Sequence, residues 1–355
     1  MPDDQAGSPF EVRRARPEEF ERIYDTVDAA FGRKRPRELF DWLYRRNPGG
    51  IARCWIVVER ETGTILKTGA GFPWPIWRGN QPLMGSLGGD AGTLPDWQRK
   101  GLSAVRRTVR NSHPWTDDLC GISGPNAGSR TVMRKSGLTD QLLGRLRGGV
   151  ALLRGGPLLE RLGAPSVLAR PCGNAADAFF SLWPGRGPKD PADTGVRVES
   201  VRRFTTEFDD ATSRHMAWPK FWCPHNAEFL NWRYLDHPGE SYTALALLEG
   251  DQPEGYAVVR LAGSSATLSE FVVGTDSRKQ AIGLLTHAMA LARDAGCHYL
   301  NFFATPKWRH WGLFRQAGFL PYVSDNQAEA GCKRHEPEVQ DINNWQLLPG
   351  DRDYH

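Results

Sequence analysis

The strongest constraint on this chain is that it repeats itself. Trp42, Tyr44, Pro48 and Gly49 recur as Trp232, Tyr234, Pro238 and Gly239, each 190 positions later (232 minus 42). Pro125 and Gly137 recur as Pro306 and Gly318, each 181 positions later (306 minus 125). Similarity at a near-constant spacing points to a duplicated unit, and the difference of nine between the two offsets to a net shortening in the second copy. A chain of 355 residues is long enough for two units, each with its own core.

Each copy reads as a mixture of helix and antiparallel strand. In the first, Pro17 followed by Glu18 and Glu19 is a helix start, and Phe20, Ile23, Tyr24, Val27 and Phe31 recur at helical spacing behind it. Cys54 to Glu59 and Thr64 to Phe72 read as strands joined by the turn Glu61-Thr62-Gly63. A third strand ends near Thr93, a helix follows from about Gln98 to Val109, then a strand over Leu119 to Ser123 and a helix over Ala127 to Ser136. That order describes an α+β fold of mixed, mostly antiparallel sheets flanked by helices, in two tandem domains. We expect an N-terminal domain over 1–145, a helical connector and linker over 146–195 containing Trp183-Pro184-Gly185, and a C-terminal domain over 196–355.

Charge and composition narrow the partners. A net charge of +4 is spread among acids instead of gathered in a block, so nucleic acid is not expected. No apolar run reaches the length of a membrane span, and the polar start Met1-Pro2-Asp3-Asp4 does not read as a secretory leader, which places the protein in the cytoplasm. The six cysteines include no C-x-x-C pair, so disulfides are not expected. Cys223 and His225, with Cys332 and His335, lack the neighbours of a zinc fold, and no metal is expected. Of the 13 tryptophans, Trp218, Trp222, Trp308 and Trp311 cluster in the second half, where they either line a sugar or aromatic substrate or fill a core; large aromatics usually do the second.

The most informative stretch is Thr93-Leu94-Pro95-Asp96-Trp97-Gln98-Arg99-Lys100-Gly101-Leu102-Ser103-Ala104, where a strand end, a turn and a helix start fall together. A helix N-terminus offers unpaired N–H groups and the positive end of its dipole, so it suits a diphosphate. Gly101 lets phosphate approach the backbone, Arg99 and Lys100 add positive charge, and Leu102 and Val105 are expected to anchor the helix.

Gln98, Gly101 and Ser103 resemble the [QR]-x-x-G-x-[GA] signature of the GCN5-related N-acetyltransferases, with Ser103 a departure from the usual Gly or Ala. Asn126 and Gly137 keep the distance that the family shows between the Asn after the next strand and a later Gly, with Leu138 for the usual Phe. The resemblance covers residues 10–140. It implies acetyl-CoA as cosubstrate, with Gly92 and Thr93 pairing with the pantetheine arm, Arg99, Lys100, Gly101, Leu102, Ser103 and Ala104 around the pyrophosphate, and Asn126 bonding the cofactor or capping its helix. In the second copy Arg278-Lys279-Gln280-Ala281 has Ala281 for Gly, and Asp276 adds negative charge. That copy is expected to be degenerate and to shape the acceptor site.

Acetyl transfer to an amine calls for a base and for a proton donor to the leaving thiolate. The family's Tyr position holds Met133, and Phe314 in the second copy. The base expected is Asp90, on the strand leading into the segment; the plainer reading is that it bonds backbone in the Gly88-Gly89-Asp90 bend. His225, His298 and His310 have no motif context, and His113 reads as a surface residue.

The function expected is acyl-CoA-dependent N-acyl transfer to a small-molecule or sugar amine. An amino sugar or sugar nucleotide of a surface polysaccharide fits the likeness of Phe229-Leu230-Asn231-Trp232-Arg233-Tyr234 to a segment of tandem acetyltransferases near polysaccharide genes. The alternatives are a non-catalytic CoA-binding or scaffold protein, and a tRNA-dependent aminoacyl-transferase of the related tandem fold.

Overall fold

A computed structural model of the chain describes residues 7–112, 120–124, 128, 130–131, 142–154, 190–215, 220–332 and 337–351. It divides into two compact units: Met1–Leu143 with Ala328–Gln340 and Arg352–His355, and Gly144–Gln327 with Asp341–Asp351.

In the first unit, strands β1 (Phe10–Arg14), β2 (Arg53–Glu59), β3 (Ile65–Lys67), β4 (Ala70–Arg78), β5 (Gln81–Gly89) and β6 (Cys120–Ser123) accompany helices α1 (Phe20–Phe31), α2 (Arg37–Tyr44) and α3 (Leu102–Ser112). The sheet runs β1-β2-β4-β5-β6, with residues 329–332 paired antiparallel outside β6. Along this order the described pairs are antiparallel except β5 with β6, the two strands that flank α3 in sequence. A parallel pair needs such a crossover, because its strands must start from the same end.

The second unit repeats this plan with β7 (Leu142–Leu152), β8 (Arg197–Val201), β9 (Phe221–Trp222), β10 (Tyr242–Glu249), β11 (Gln252–Ala262), β12 (Ser265–Val273), β13 (Tyr299–Ala304), β14 (Phe319–Cys332) and β15 (Trp345–Gln346). Its helices are α4 (Glu207–His215), α5 (Ala227–Leu230, continued as a π turn to Leu235), α6 (Arg278–Asp294) and α7 (Trp311–Gln316). The order is β8-β10-β11-β12-β13-β7, in which the one parallel pair, β12 with β13, flanks α6, and off this path β15 pairs in parallel with β9. The sixth strand of each sheet comes from the chain that follows the other copy: 329–332 beside β6, and β7 beside β13.

The helices pack as their spacing requires. α1 buries Phe20, Ile23, Tyr24 and Val27, while Phe31, at its last position before the left-handed Gly32, stays 41% exposed instead of joining that stripe. α6 is capped by Ser277, whose hydroxyl accepts from the Gln280 amide, and it buries Leu284, Leu285, Ala288 and Ala292. Each such leucine contributes about 1.5–3 kcal/mol. Trp308, Trp311, Phe302 and Phe314 fill the core behind α6, and Trp222 is buried as well, so these tryptophans serve packing; Trp218 lies outside the described residues.

Two expected elements are adjusted. The strand expected over Thr64 to Phe72 divides at Gly69, where the Arg106 guanidinium lies so close that a Cβ would meet its nitrogen at 1.8 Å. The helix expected from Gln98 begins at Leu102, because Arg99 and Gly101 both take left-handed backbone, which a right-handed helix cannot contain. No described helix is long and apolar enough to cross a membrane.

Candidate functional site

The segment after β5 is the most distinctive backbone of the first unit. Asp90 has φ of 47°, and the chain then runs alongside β3: the Thr68 amide donates to the Gly92 carbonyl and the Leu94 amide to the Leu66 carbonyl, both at 2.9 Å. Gly92 also donates its own amide to the Asp90 carbonyl, so both its backbone groups are used within the chain. Its lack of a side chain matters for packing, since a Cβ there would meet the Ala30 Cβ at 2.7 Å. Thr93 sits opposite Lys67 in a bridge whose hydrogen bonds are made by its neighbours, so its own N–H and C=O point to the free side. Of the two residues expected to pair with a pantetheine arm, Thr93 therefore turns its amide outward, while its carbonyl is met by Gln98 and Gly92 has both backbone groups used within the chain.

Pro95–Trp97 form a short 3-10 turn, and Gln98 Nε2 reaches back to the Thr93 carbonyl at 3.4 Å. Lys100 Nζ lies 4.4 Å from the centroid of the Trp97 ring. Arg99 has φ of 64° and Gly101 of 80°. Left-handed residues in front of a helix turn successive N–H groups to one side, forming a concavity of the kind that holds anions. A Cβ on Gly101 would meet nothing within 4 Å, so glycine is needed there for its dihedral and for the open space in front of it. Arg99 and Lys100 are exposed at the mouth, and Ser103 and Ala104 follow in the first turn of α3. Leu102 is buried against Val12, Trp55, Val57 and Leu66, with Val109 beside it. Val105, expected to share this anchoring, is 36% exposed on another face. Asn126 and Met133 lie outside the described residues.

Asp90 lies in a closed polar centre. Arg35 donates to Oδ1 and the Tyr44 hydroxyl to Oδ2, each at 2.8 Å, and all three side chains are buried. The Arg35 guanidinium stands 4.2 Å from the Phe40 ring centroid. Burial first, and then the Asp90 charge, raises the Tyr44 hydroxyl well above its ordinary pKa. A carboxylate with both oxygens engaged and no opening to solvent is built to hold the bend after β5, not to collect a proton from an arriving amine.

Sequence reasoning passed over a second centre of the same design. His225 Nδ1 lies 2.9 Å from Glu270 Oε1 and its Nε2 3.0 Å from Asp351 Oδ1, all buried. The Tyr234 hydroxyl donates to Glu270 Oε1, and Phe229 stacks on the imidazole at 4.5 Å. Burial pushes the His225 pKa down, but Glu270 and Asp351 together outweigh it and raise it to about 10. A Cβ on Gly350 would come within 2.0 Å of Glu270 Oε1 and 2.1 Å of the Tyr234 oxygen, so only glycine passes there. The signal that could have found this centre is the 190-residue offset, which relates Arg35 to His225 as it relates Tyr44 to Tyr234.

Solved structures share this plan along nearly the whole chain. A probable N-acyltransferase of Enterococcus faecalis aligns with TM-score 0.62 at 12% identity, over 91% of this chain and 72% of that one. A GCN5-related N-acetyltransferase of Anabaena variabilis aligns with TM-score 0.62 at 11% identity, over 93% and 74%. The chain has the GCN5-related N-acetyltransferase fold. The N-myristoyltransferase of Saccharomyces cerevisiae, solved with bound myristoyl-CoA, is similar to it with TM-score 0.56 at 12% identity, over 93% and 82%. No family model matches the sequence, and no curated protein matches it. At these identities the likeness is one of fold, and the acetyltransferase fold accounts for the repeated parallel pair flanking α3 and α6.

Proposed function

We propose that the protein is an acyl-CoA-dependent N-acyltransferase whose first unit holds the cosubstrate at Thr93 to Ala104. The observation that carries this is the left-handed pair Arg99 and Gly101 ahead of α3, which gathers backbone N–H groups, a helix N-terminus and two exposed cations at one concavity. A diphosphate suits that donor set. Thr93, whose amide faces outward, is the residue we assign to pair with an amide-bearing arm, and Asn126 is assigned to the same cosubstrate from its position in the sequence. The yeast neighbour's myristoyl-CoA supports acyl-CoA as the class, and acetyl is the acyl group we assign.

Transfer is direct: the acceptor amine forms a bond to the thioester carbonyl carbon, the carbon–sulfur bond breaks, and the amine proton is balanced by protonation of the thiolate. Asp90 acts in this as a positioning residue that fixes the turn delivering Gly92 and Thr93. An amino sugar or sugar nucleotide is the acceptor class we assign, with the cytoplasm as the compartment.

Calorimetric titration of acetyl-CoA and desulfo-CoA into the wild type, Gly101→Glu and Lys100→Glu tests the reading. Micromolar or tighter binding in the wild type that both variants lose, with circular dichroism unchanged, supports it. Absence of wild-type binding overturns it in favour of a scaffold with this fold.

A further inference from the structure

Lys67 Nζ donates to Thr93 Oγ1 at 2.9 Å across the bridge between β3 and the segment after β5, where opposed side chains leave the sheet on the same face. A lysine stem is long enough to carry its charge to water, and burying an ammonium costs free energy, yet Lys67 is only 5% exposed. Its head turns instead to Thr93, the residue whose amide faces outward at the cosubstrate segment. An ammonium can only donate, so Thr93 Oγ1 is the acceptor of that bond and the hydroxyl keeps its own proton to give. Among the described residues no acceptor takes that proton, and Thr93 is only half-buried. A positive charge behind a hydroxyl strengthens the bond that the hydroxyl donates.

The second unit supplies the contrast. Val273 stands 180 residues after Thr93 (273 minus 93) and faces Gly255, with the Gly274 amide donating to the Glu254 carbonyl as the Leu94 amide does to that of Leu66. Neither Val273 nor Gly255 carries a polar side chain. The outward backbone of Val273 is occupied as well: Nδ1 of the fully buried His215 lies 3.1 Å from both its amide nitrogen and its carbonyl oxygen. The lysine and threonine pair thus belongs to the copy with the left-handed turn ahead of α3, and it is missing from the copy whose α6 starts regularly and whose edge is closed. We propose that Lys67 and Thr93 form a charge-backed donor, in which the Thr93 hydroxyl hydrogen-bonds a carbonyl oxygen of the acyl-CoA arm and Lys67 is the positioning residue that aims it. This rests on the acyl-CoA reading of Thr93 to Ala104.

The test separates the arm from the diphosphate. Acetyl-CoA, and ADP, which has a diphosphate and no arm, are titrated calorimetrically into the full-length wild type, Thr93→Val, Thr93→Ser, Lys67→Met and the double variant of Thr93→Val with Lys67→Met. Valine keeps the shape of threonine and methionine most of the lysine stem, so both spare the packing, and circular dichroism checks the fold. Thr93→Val and Lys67→Met are each expected to weaken acetyl-CoA about tenfold, the size of one lost hydrogen bond, while ADP binds as it does to the wild type. Thr93→Ser should restore most of the affinity, and the double variant should bind no more weakly than Thr93→Val, since Lys67 acts through the hydroxyl. Wild-type affinity for acetyl-CoA in Thr93→Val or in Lys67→Met overturns the proposal and leaves the acyl-CoA reading standing. A loss in Thr93→Ser as deep as in Thr93→Val, or parallel losses of acetyl-CoA and ADP, overturns it too, by making the pair a brace for the fold. A wild type that binds neither ligand removes the acyl-CoA reading itself, and the proposal with it.

Discussion

Two buried carboxylates, one in each unit, do the same structural work with different cations. Asp90 is joined by Arg35 and Tyr44; Glu270 is joined by His225 and Tyr234. The cations are 190 residues apart (225 minus 35), as are the tyrosines (234 minus 44), and the carboxylates are 180 apart (270 minus 90), the same offset that relates Gly101 to Ala281. Each cation also lies on an aromatic ring of the helix that follows it, Phe40 or Phe229. The duplication has therefore kept a polar keystone that ties that helix to the strand or bend before the would-be cofactor segment. The second copy adds Asp351 and exchanges a permanently charged guanidinium for a titratable imidazole, so the two keystones should respond differently to mutation and to pH.

Deleting a cation should produce the largest effect. His225→Ala strands Glu270 and Asp351 together, and Arg35→Ala strands Asp90 alone; each is expected to cost about 3–5 kcal/mol, with His225→Ala the greater. Denaturant unfolding followed by tryptophan fluorescence measures both. Equal losses would break the comparison by showing that Asp351 is an onlooker.

Alkaline pH separates the centres without deleting anything. His225 is raised to about 10 in the folded protein from an ordinary 6.5, so the native state holds the proton more tightly than the unfolded chain. That contribution is complete below 6.5, declines as pH rises beyond it, and is lost once pH passes the folded value near 10. Unfolding free energies measured from pH 6.5 to 10 should fall in the wild type and fall less steeply in His225→Gln; parallel slopes would remove His225 as the titrating group.

The hydroxyl bonds are a smaller, shared component. Tyr44→Phe and Tyr234→Phe should each cost about 1.5–3 kcal/mol, the range for a hydrogen bond to a charged partner. Tyr44→Phe should cost more, because it takes the hydroxyl away from Asp90 Oδ2, whereas Tyr234→Phe leaves Glu270 Oε1 still bonded to His225. The difference is readable as a shift in denaturation midpoint between the two variants.

The parts visible in the sequence were those in which neighbours along the chain determine the outcome. The periodic face of α1, the Leu102 anchor and the duplication all follow from local spacing. The keystones were hidden because their members lie far apart: Arg35 and Asp90 are 55 residues apart, His225 and Asp351 126. Asp90 read as a base since a carboxylate beside a cofactor segment looks available until its burial and both partners are known. Val105 was misplaced because residues three apart on a helix point in directions that differ by about 60°, and the core takes only the face of Leu102 and Val109; the start at Leu102 was hidden because the left-handed residues before it leave only one glycine as a trace.

Arg99 gives the finest test of how the two copies differ. A non-glycine residue with φ of 64° carries about 1 kcal/mol or slightly more of backbone strain, which the second copy avoids, since Lys279, its counterpart at offset 180, lies in the first turn of a regular helix. Arg99→Gly removes that strain but adds roughly 0.5–1 kcal/mol of unfolded-state freedom, so stability should change by less than about 1 kcal/mol. Arg99→Ala keeps the strain and loses the same charge. If the side chain serves an anion, both variants should weaken acetyl-CoA binding alike while their stabilities differ in favour of glycine. Should Arg99→Gly bind as the wild type does, the backbone concavity alone would account for affinity, and the left-handed arginine would be a strain with no ligand to offset it.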